Sequence, residues 1–155
     1  MENIFAAQTE EQIKVVRELF VEYAESLNFD LCFQNFEKEV TKLPGEYVSP
    51  AGRLLLASVD EKTAGCIVLR KISGDVCEMK RLYVRPKFRG RGIGRNLATT
   101  IIDDARAIGY KQMRLDTLSS MKEAIALYQS LGFTTIEPYR HNPLEGAVFI
   151  QLTLR

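Results

Sequence analysis

The chain has 155 residues, 46% of them hydrophobic and 26% charged, with a formal net charge of +1. That length and balance describe one soluble globular domain with a real core, and exclude a disordered chain or a uniformly cationic one. No apolar run approaches the roughly 20 residues of a bilayer span, and "MENIFAAQTEEQ" lacks the basic-then-apolar order of a secretory leader.

Taken in chain order, "NIFAA" suits a first strand. Thr9 and Gln12 then form a capping box ahead of Ile13, Val16, Phe20, Tyr23 and Leu27 at helical spacing. "NFEKEVTKL" predicts a shorter helix stopped by Pro44-Gly45. "GRLLLASVD" and "AGCIVLRKI" flank "EKT" as a hairpin, and "SGD" turns into "VCEMKRLYV". Arg95 to Ile108 predicts a helix stopped by Gly109, followed by the strand "QMRLDTL". Ser120 with Glu123 predicts a cap for a helix carrying Ala124, Leu127, Tyr128 and Leu131. "FTTIE" and "AVFIQLTL" close the chain as strands. With no repeat, linker or low-complexity tract, residues 1–155 read as one α/β domain of mixed sheet, ordered β-α-α-β-β-β-α-β-α-β-β.

Within "VCEMKRLYV" the apolar residues change phase: Cys77 and Met79 alternate, and so do Leu82 and Val84, but the two sets are one residue out of step. A regular strand would send one set to the wrong face. A β-bulge near Lys80-Arg81 restores the pattern; a strand buried on both faces is the alternative.

Charge is concentrated next to this strand. Positions 80–95 hold Lys80, Arg81, Arg85, Lys87, Arg89, Arg91 and Arg95 with no acid, so the rest of the chain sums to −6. So local a cluster suits a small polyanionic ligand better than nucleic acid, which is met by a wider basic surface. The dinucleotide fingerprint GxGxxG and the P-loop both fail, because Arg95 stands where each needs a glycine. The spacing Arg89-x-x-Gly92-x-Gly94 between strand and helix still suits a pyrophosphate. Glycines let backbone N–H groups approach it, the helix start adds its positive dipole end, and Arg89, Arg91 and Arg95 add charged donors.

Arg89-x-x-Gly92-x-Gly94 resembles the [QR]xxGx[GA] signature of the GNAT-family N-acetyltransferases. The resemblance extends over residues 52–137, taking in the bulged strand, the following helix, "QMRLDTL", and "AIALYQSLGF" with Tyr128 followed by Leu131-Gly132-Phe133. It implies a mostly antiparallel mixed sheet of six to seven strands flanked by about four helices, with two strands splayed into a V. It also implies acetyl-CoA as acyl donor, no metal, and a primary amine of a small molecule or protein as acceptor. By the same resemblance the cofactor lies against Leu82, Tyr83 and Val84, whose main chain meets the pantetheine arm, with the Leu82 N–H polarising the thioester carbonyl. Arg89, Gly90, Arg91, Gly92, Ile93, Gly94 and Arg95 take the pyrophosphate. Met121 stands where family members often carry a cofactor-contacting asparagine, with Ser120 and Lys122 as neighbouring contacts.

Tyr128 matches the family's general acid, which protonates the departing thiolate. Glu78, eleven residues before Arg89, has the spacing of the catalytic glutamate in histone-type members and is expected to take a proton from the amine. Phe33, Tyr139, His141 and Asn142 are expected to border the acceptor. Phe29 is a further candidate there, and each of these also has a plain structural reading. The three cysteines, Cys32, Cys66 and Cys77, are odd in number and two lie in apolar runs, so reduced core thiols and a cytoplasmic address are expected. A single histidine and no CxxC pair argue against a metal site. Two other functions stay open from the residues alone: a catalytically silent acyl-CoA-binding module, and a nucleic-acid binder whose affinity would fall steeply with salt. Neither a membrane nor a nucleic-acid partner is expected, and a homodimer is permitted without being demanded.

Overall fold

The structure, a computed structural model, describes residues 2–27, 36–142 and 144–154. Phe29, Cys32 and Phe33 lie outside the described residues. The chain forms strands β1 (Glu2–Ala6), β2 (Arg53–Val59), β3 (Lys62–Ser73), β4 (Val76–Val84), β5 (Gln112–Leu118), β6 (Thr134–Ile136) and β7 (Ala147–Thr153). Its helices are α1 (Glu10–Ser26), α2 (Phe36–Thr41), α3 (Ile93–Ile108) and α4 (Lys122–Ser130). One seven-stranded sheet runs β1-β2-β3-β4-β5-β7-β6, antiparallel except where β4 meets β5. The element order and mixed sheet are those expected from the sequence. Among the described residues, no helix is long and apolar enough to cross a membrane.

Helices cover both faces, and the period-2 alternation of the strands divides them. In β2, Leu54 and Leu56 join Val16, Leu19 and Phe20 of α1, while Leu55 and Ala57 join Leu97, Ile101 and Ala105 of α3. The capping box at the start of α1 forms as expected, with Thr9 Oγ1 accepting from the Gln12 N–H at 3.1 Å. Two expectations need correction. Ser120 does not cap α4; Met121 holds the cap position with no side-chain hydrogen bond. Helix α3 begins at Ile93, two residues before the expected Arg95, because Gly92 turns the chain at φ 80°.

Two departures from regularity in β4 open the sheet. Opposite β3, Cys66 pairs with Tyr83 while Val68 pairs with Lys80, so β4 carries one extra residue there. Arg81 sits at φ 59°, a left-handed conformation costly for a side chain of this size. The bulge brings Cys77, Met79, Leu82 and Val84 against the same core cluster, as their phase change requires. Opposite β5, the parallel pairing holds only at Val76, Cys77 and Glu78; beyond them the two strands part into the expected V.

Candidate active site

Two cavities occupy the opening. A groove of about 620 Å³ runs from the end of β4 over the start of α3 to α4. An inner cavity of about 110 Å³ lies between the parted strands. Tyr23, Leu82, Met121, Ala124 and Tyr128 line both, so the two meet at these residues.

The groove brings together Leu82, Tyr83, Val84, Arg89, Gly90, Gly92, Ile93, Gly94, Ser120, Lys122 and Tyr128, eleven of the thirteen positions expected around a cofactor and its leaving group. Gly90 and Gly92 stand at φ 81° and 80°, and a Cβ on either would meet no protein atom within 4 Å. Glycine is required there by the backbone and not by crowding. Gly92 is the N-cap of α3 and offers no side-chain hydrogen bond, and the first intrahelical bond is Asn96 N–H to the Gly92 carbonyl. The N–H groups of the first turn therefore face outward unclaimed by a cap, with no acid in that turn to oppose an anion. Arg89 pins the loop: its Nε donates to the Val84 carbonyl at 2.9 Å, and its guanidinium lies 5.9 Å from the Tyr83 ring centroid.

The basic run does not act as one block. Arg85 pairs with Glu22 of α1 at 2.7 Å, and Lys80 and Arg81 both reach Glu39 of α2. Only Lys87, Arg89, Arg91 and Arg95 stay with the loop. The side chains of Arg91 and Arg95 do not line the groove either. Arg91 lies over the Phe88 ring at 5.5 Å, and Arg95 donates to Ser130 Oγ at 2.8 Å. Charge repelled from neighbouring charge finds partners elsewhere, which linear spacing does not show.

Tyr128 is buried and packs on Phe133 with ring centroids 5.7 Å apart. Burial pushes its phenol above the ordinary value of 10, with the nearby Tyr23 adding to the effect, so the hydroxyl holds its proton at neutral pH. Burial likewise pushes the Cys66 and Cys77 thiols up to about 12, which removes both as nucleophiles.

Glu78 is placed differently from the expected base. It is 0% exposed and lines neither cavity. Arg70 Nε donates to its Oε1 at 2.8 Å, while the Tyr139 hydroxyl (2.6 Å) and Arg140 (3.2 Å) meet its Oε2. With both oxygens engaged, this carboxylate ties β3 and β4 to the β6–β7 loop and opens onto neither cavity. Arg140 and Asn142 Nδ2 both donate onward to Asp116 of β5, and Asp116 is the carboxylate that does line the inner cavity. Of the expected acceptor residues, Asn142 lines that cavity, Tyr139 serves as a Glu78 ligand, and His141 is exposed and lines neither space. Tyr23, Lys80, Arg81 and Asp116 were not singled out from the sequence as acceptor residues. Tyr23 reads there as one more apolar position of a helix, and Lys80 and Arg81 as part of the anion-binding run.

The chain matches the acetyltransferase (GNAT) family over residues 13–133. It is 38% identical to an uncharacterised N-acetyltransferase of Schizosaccharomyces pombe, over 98% of this chain and 94% of that one. A GNAT-family acetyltransferase from Staphylococcus aureus superposes with a TM-score of 0.83 at 18% identity, each chain fully covered. A Salmonella typhimurium acetyltransferase solved with its cofactor acetyl-CoA superposes with a TM-score of 0.71 at 22% identity, over 100% of this chain and 95% of that one.

Proposed function

The chain belongs to the GNAT family of acetyltransferases, and from that premise we propose that the groove takes acetyl-CoA and the inner cavity a primary amine, with direct transfer where the two meet. The observation that carries this reading is the start of α3, where Gly92 and its uncapped N–H groups open onto the groove beside Arg89. Pantetheine would then lie along Leu82, Tyr83 and Val84, where β4 has left its β5 partner.

The donor supplies a thioester: a nitrogen–carbon bond forms, the carbon–sulfur bond breaks, one ammonium proton goes to solvent and a second ends on sulfur. Tyr128 borders both cavities and holds a proton that it can give to the departing sulfur. The bulge at Arg81 takes Leu82 out of regular pairing with β3, which suits its N–H to polarising the thioester carbonyl. Glu78 acts at one remove, fixing Tyr139 and Arg140 and through Arg140 the Asp116 wall.

Calorimetric titration with acetyl-CoA, against dephosphorylated pantetheine as control, tests the reading. Saturable binding that weakens sharply without the pyrophosphate is expected. Equal binding of the two would remove the role given to the α3 start, and no binding of either would remove the cofactor site.

A further inference from the structure

The inner cavity carries charge that its own partners do not balance. Lys80 and Arg81 both line it and are only 8% and 3% exposed at the side chain. They share one acid. Arg81 takes Glu39 with two hydrogen bonds of 3.0 Å, and Lys80 is left with a single contact of 3.5 Å to the same carboxylate. The other acid of the wall, Asp116, is held by Arg140 and Asn142. Among the described residues, one cation at this end of the cavity therefore faces the space without an acid of its own, where a buried charge is costly unless a ligand completes it.

The position of that cation relative to the junction is informative. Tyr128 and Leu82 border both spaces, whereas Lys80, Arg81 and Asp116 border the inner cavity alone. A molecule whose amine waits at the junction thus extends its other end toward Lys80. At about 110 Å³ the space is below the ~300–1,000 Å³ typical for drug-sized ligands, so the extension is short.

Resting on the acetyltransferase reading, we infer that the acceptor is a small amine that also carries a carboxylate, an amino-acid-like molecule, with Lys80 as the residue that binds its carboxylate and sets specificity. Arg81 is committed to Glu39 and stacks 5.2 Å from the Phe36 ring; it shapes the wall. Asp116 and Asn142 line the cavity and offer a carboxylate and an amide for the remaining polar atoms of the acceptor.

The experiment follows thiol release from acetyl-CoA at pH 7 with paired acceptors: glycine and glycinamide, L-alanine and L-alaninamide, L-aspartate, β-alanine and 4-aminobutyrate. The amide of each pair has the more easily deprotonated amine, so a preference for the acid cannot arise from amine basicity. At least one acid is expected to exceed its amide by tenfold or more in kcat/KM. Lys80→Met should reduce that ratio below threefold through the acceptor KM, with the acetyl-CoA KM within twofold of the parent, and Lys80→Arg should keep the preference. Equal use of acid and amide, a preference that survives in Lys80→Met, or no acetylation of any acid by a protein that binds acetyl-CoA would each overturn the inference. Calorimetry with acetyl-CoA alone separates the two levels: failure to bind it removes the cofactor site and this inference together, while binding without a carboxylate preference removes only the inference.

Discussion

Replacing Lys80 by methionine should make the protein more stable while impairing it. Burial pushes the Lys80 ammonium down to about 8 from 10.5; Arg81 pushes it the same way, while Glu39 and Glu78 only partly offset them and Arg140 lowers it a little further. A group whose charged form is disfavoured in the fold penalises folding wherever the unfolded chain holds that proton. Below pH 8 Lys80 is charged in both states and the penalty is complete. A shift of about 2.5 units corresponds to about 3 kcal/mol at pH 7. Methionine has nearly the same length and no charge, and Glu39 keeps its two bonds to Arg81.

The pH dependence gives the sharper check. The unfolded chain binds the extra proton between pH 8 and 10.5, so the parent gains stability across that window and the variant does not. Urea unfolding of both proteins should show the variant ahead by about 3 kcal/mol at pH 7 and by about 1.4 kcal/mol at pH 9.5, since other titrating groups cancel in the comparison. A variant less stable than the parent at pH 7, or an advantage that does not shrink with pH, would refute the claim that Lys80 is a strained buried cation. Stability given up at a site is a common cost of function, and a saturating carboxylate-bearing acceptor should recover part of it in the parent alone.

Tyr128→Phe should lower kcat by roughly 10²-fold while leaving the acetyl-CoA dissociation constant unchanged by calorimetry; unaltered turnover would remove Tyr128 as the proton donor. Gly92→Val places a β-branched residue at φ 80°, which should weaken acetyl-CoA binding by tenfold or more, from strain of about 1–3 kcal/mol, and leave dephosphorylated pantetheine unaffected. Glu78→Gln should cost about 1–3 kcal/mol of stability by weakening the charged hydrogen bonds from Arg70 and Arg140, which keep Glu46 and Asp116 as partners, with kcat of the folded enzyme within tenfold; a large fall in kcat at unchanged melting temperature would restore Glu78 as a base. Glu39 is raised by burial but more than compensated by Arg81 and Lys80, and its net shift is downward, so its contribution is present above its ordinary value near 4.5 and lost as pH falls below it. Acid unfolding of Glu39→Gln should accordingly be shallower than that of the parent.

The glycine loop and the groove around it were legible in the sequence because they are local. Arg89, Gly92 and Gly94 act within one turn of chain, and a glycine's use at φ 80° does not depend on distant contacts. The bulge was legible for a related reason, since an alternation that slips by one residue has few ways to keep its apolar side chains inside. The inner cavity is assembled across the V from α1, β4, β5, α4 and the loop after β6. Nothing in the period of α1 distinguishes Tyr23, which faces the cavities, from Phe20, which is core. For Glu78 the reason is the same: an acid among apolar residues does signal something unusual, but its partners, Arg70, Tyr139 and Arg140, lie eight and more than sixty residues away.

The same non-locality accounts for the basic run. Read linearly, seven cations serve one anion; folded, the bulge at Arg81 divides them. It lies between Lys80, which lines the inner cavity, and Leu82, which lines the groove as well. One inserted residue thus separates the charge that lines the inner cavity from the residue that lines the groove as well, in three consecutive positions. Closing the bulge by deleting Arg81 would restore regular pairing with β3 and move Lys80 or Leu82 to the wrong face, so the strand's strain at φ 59° is retained where the two cavities meet.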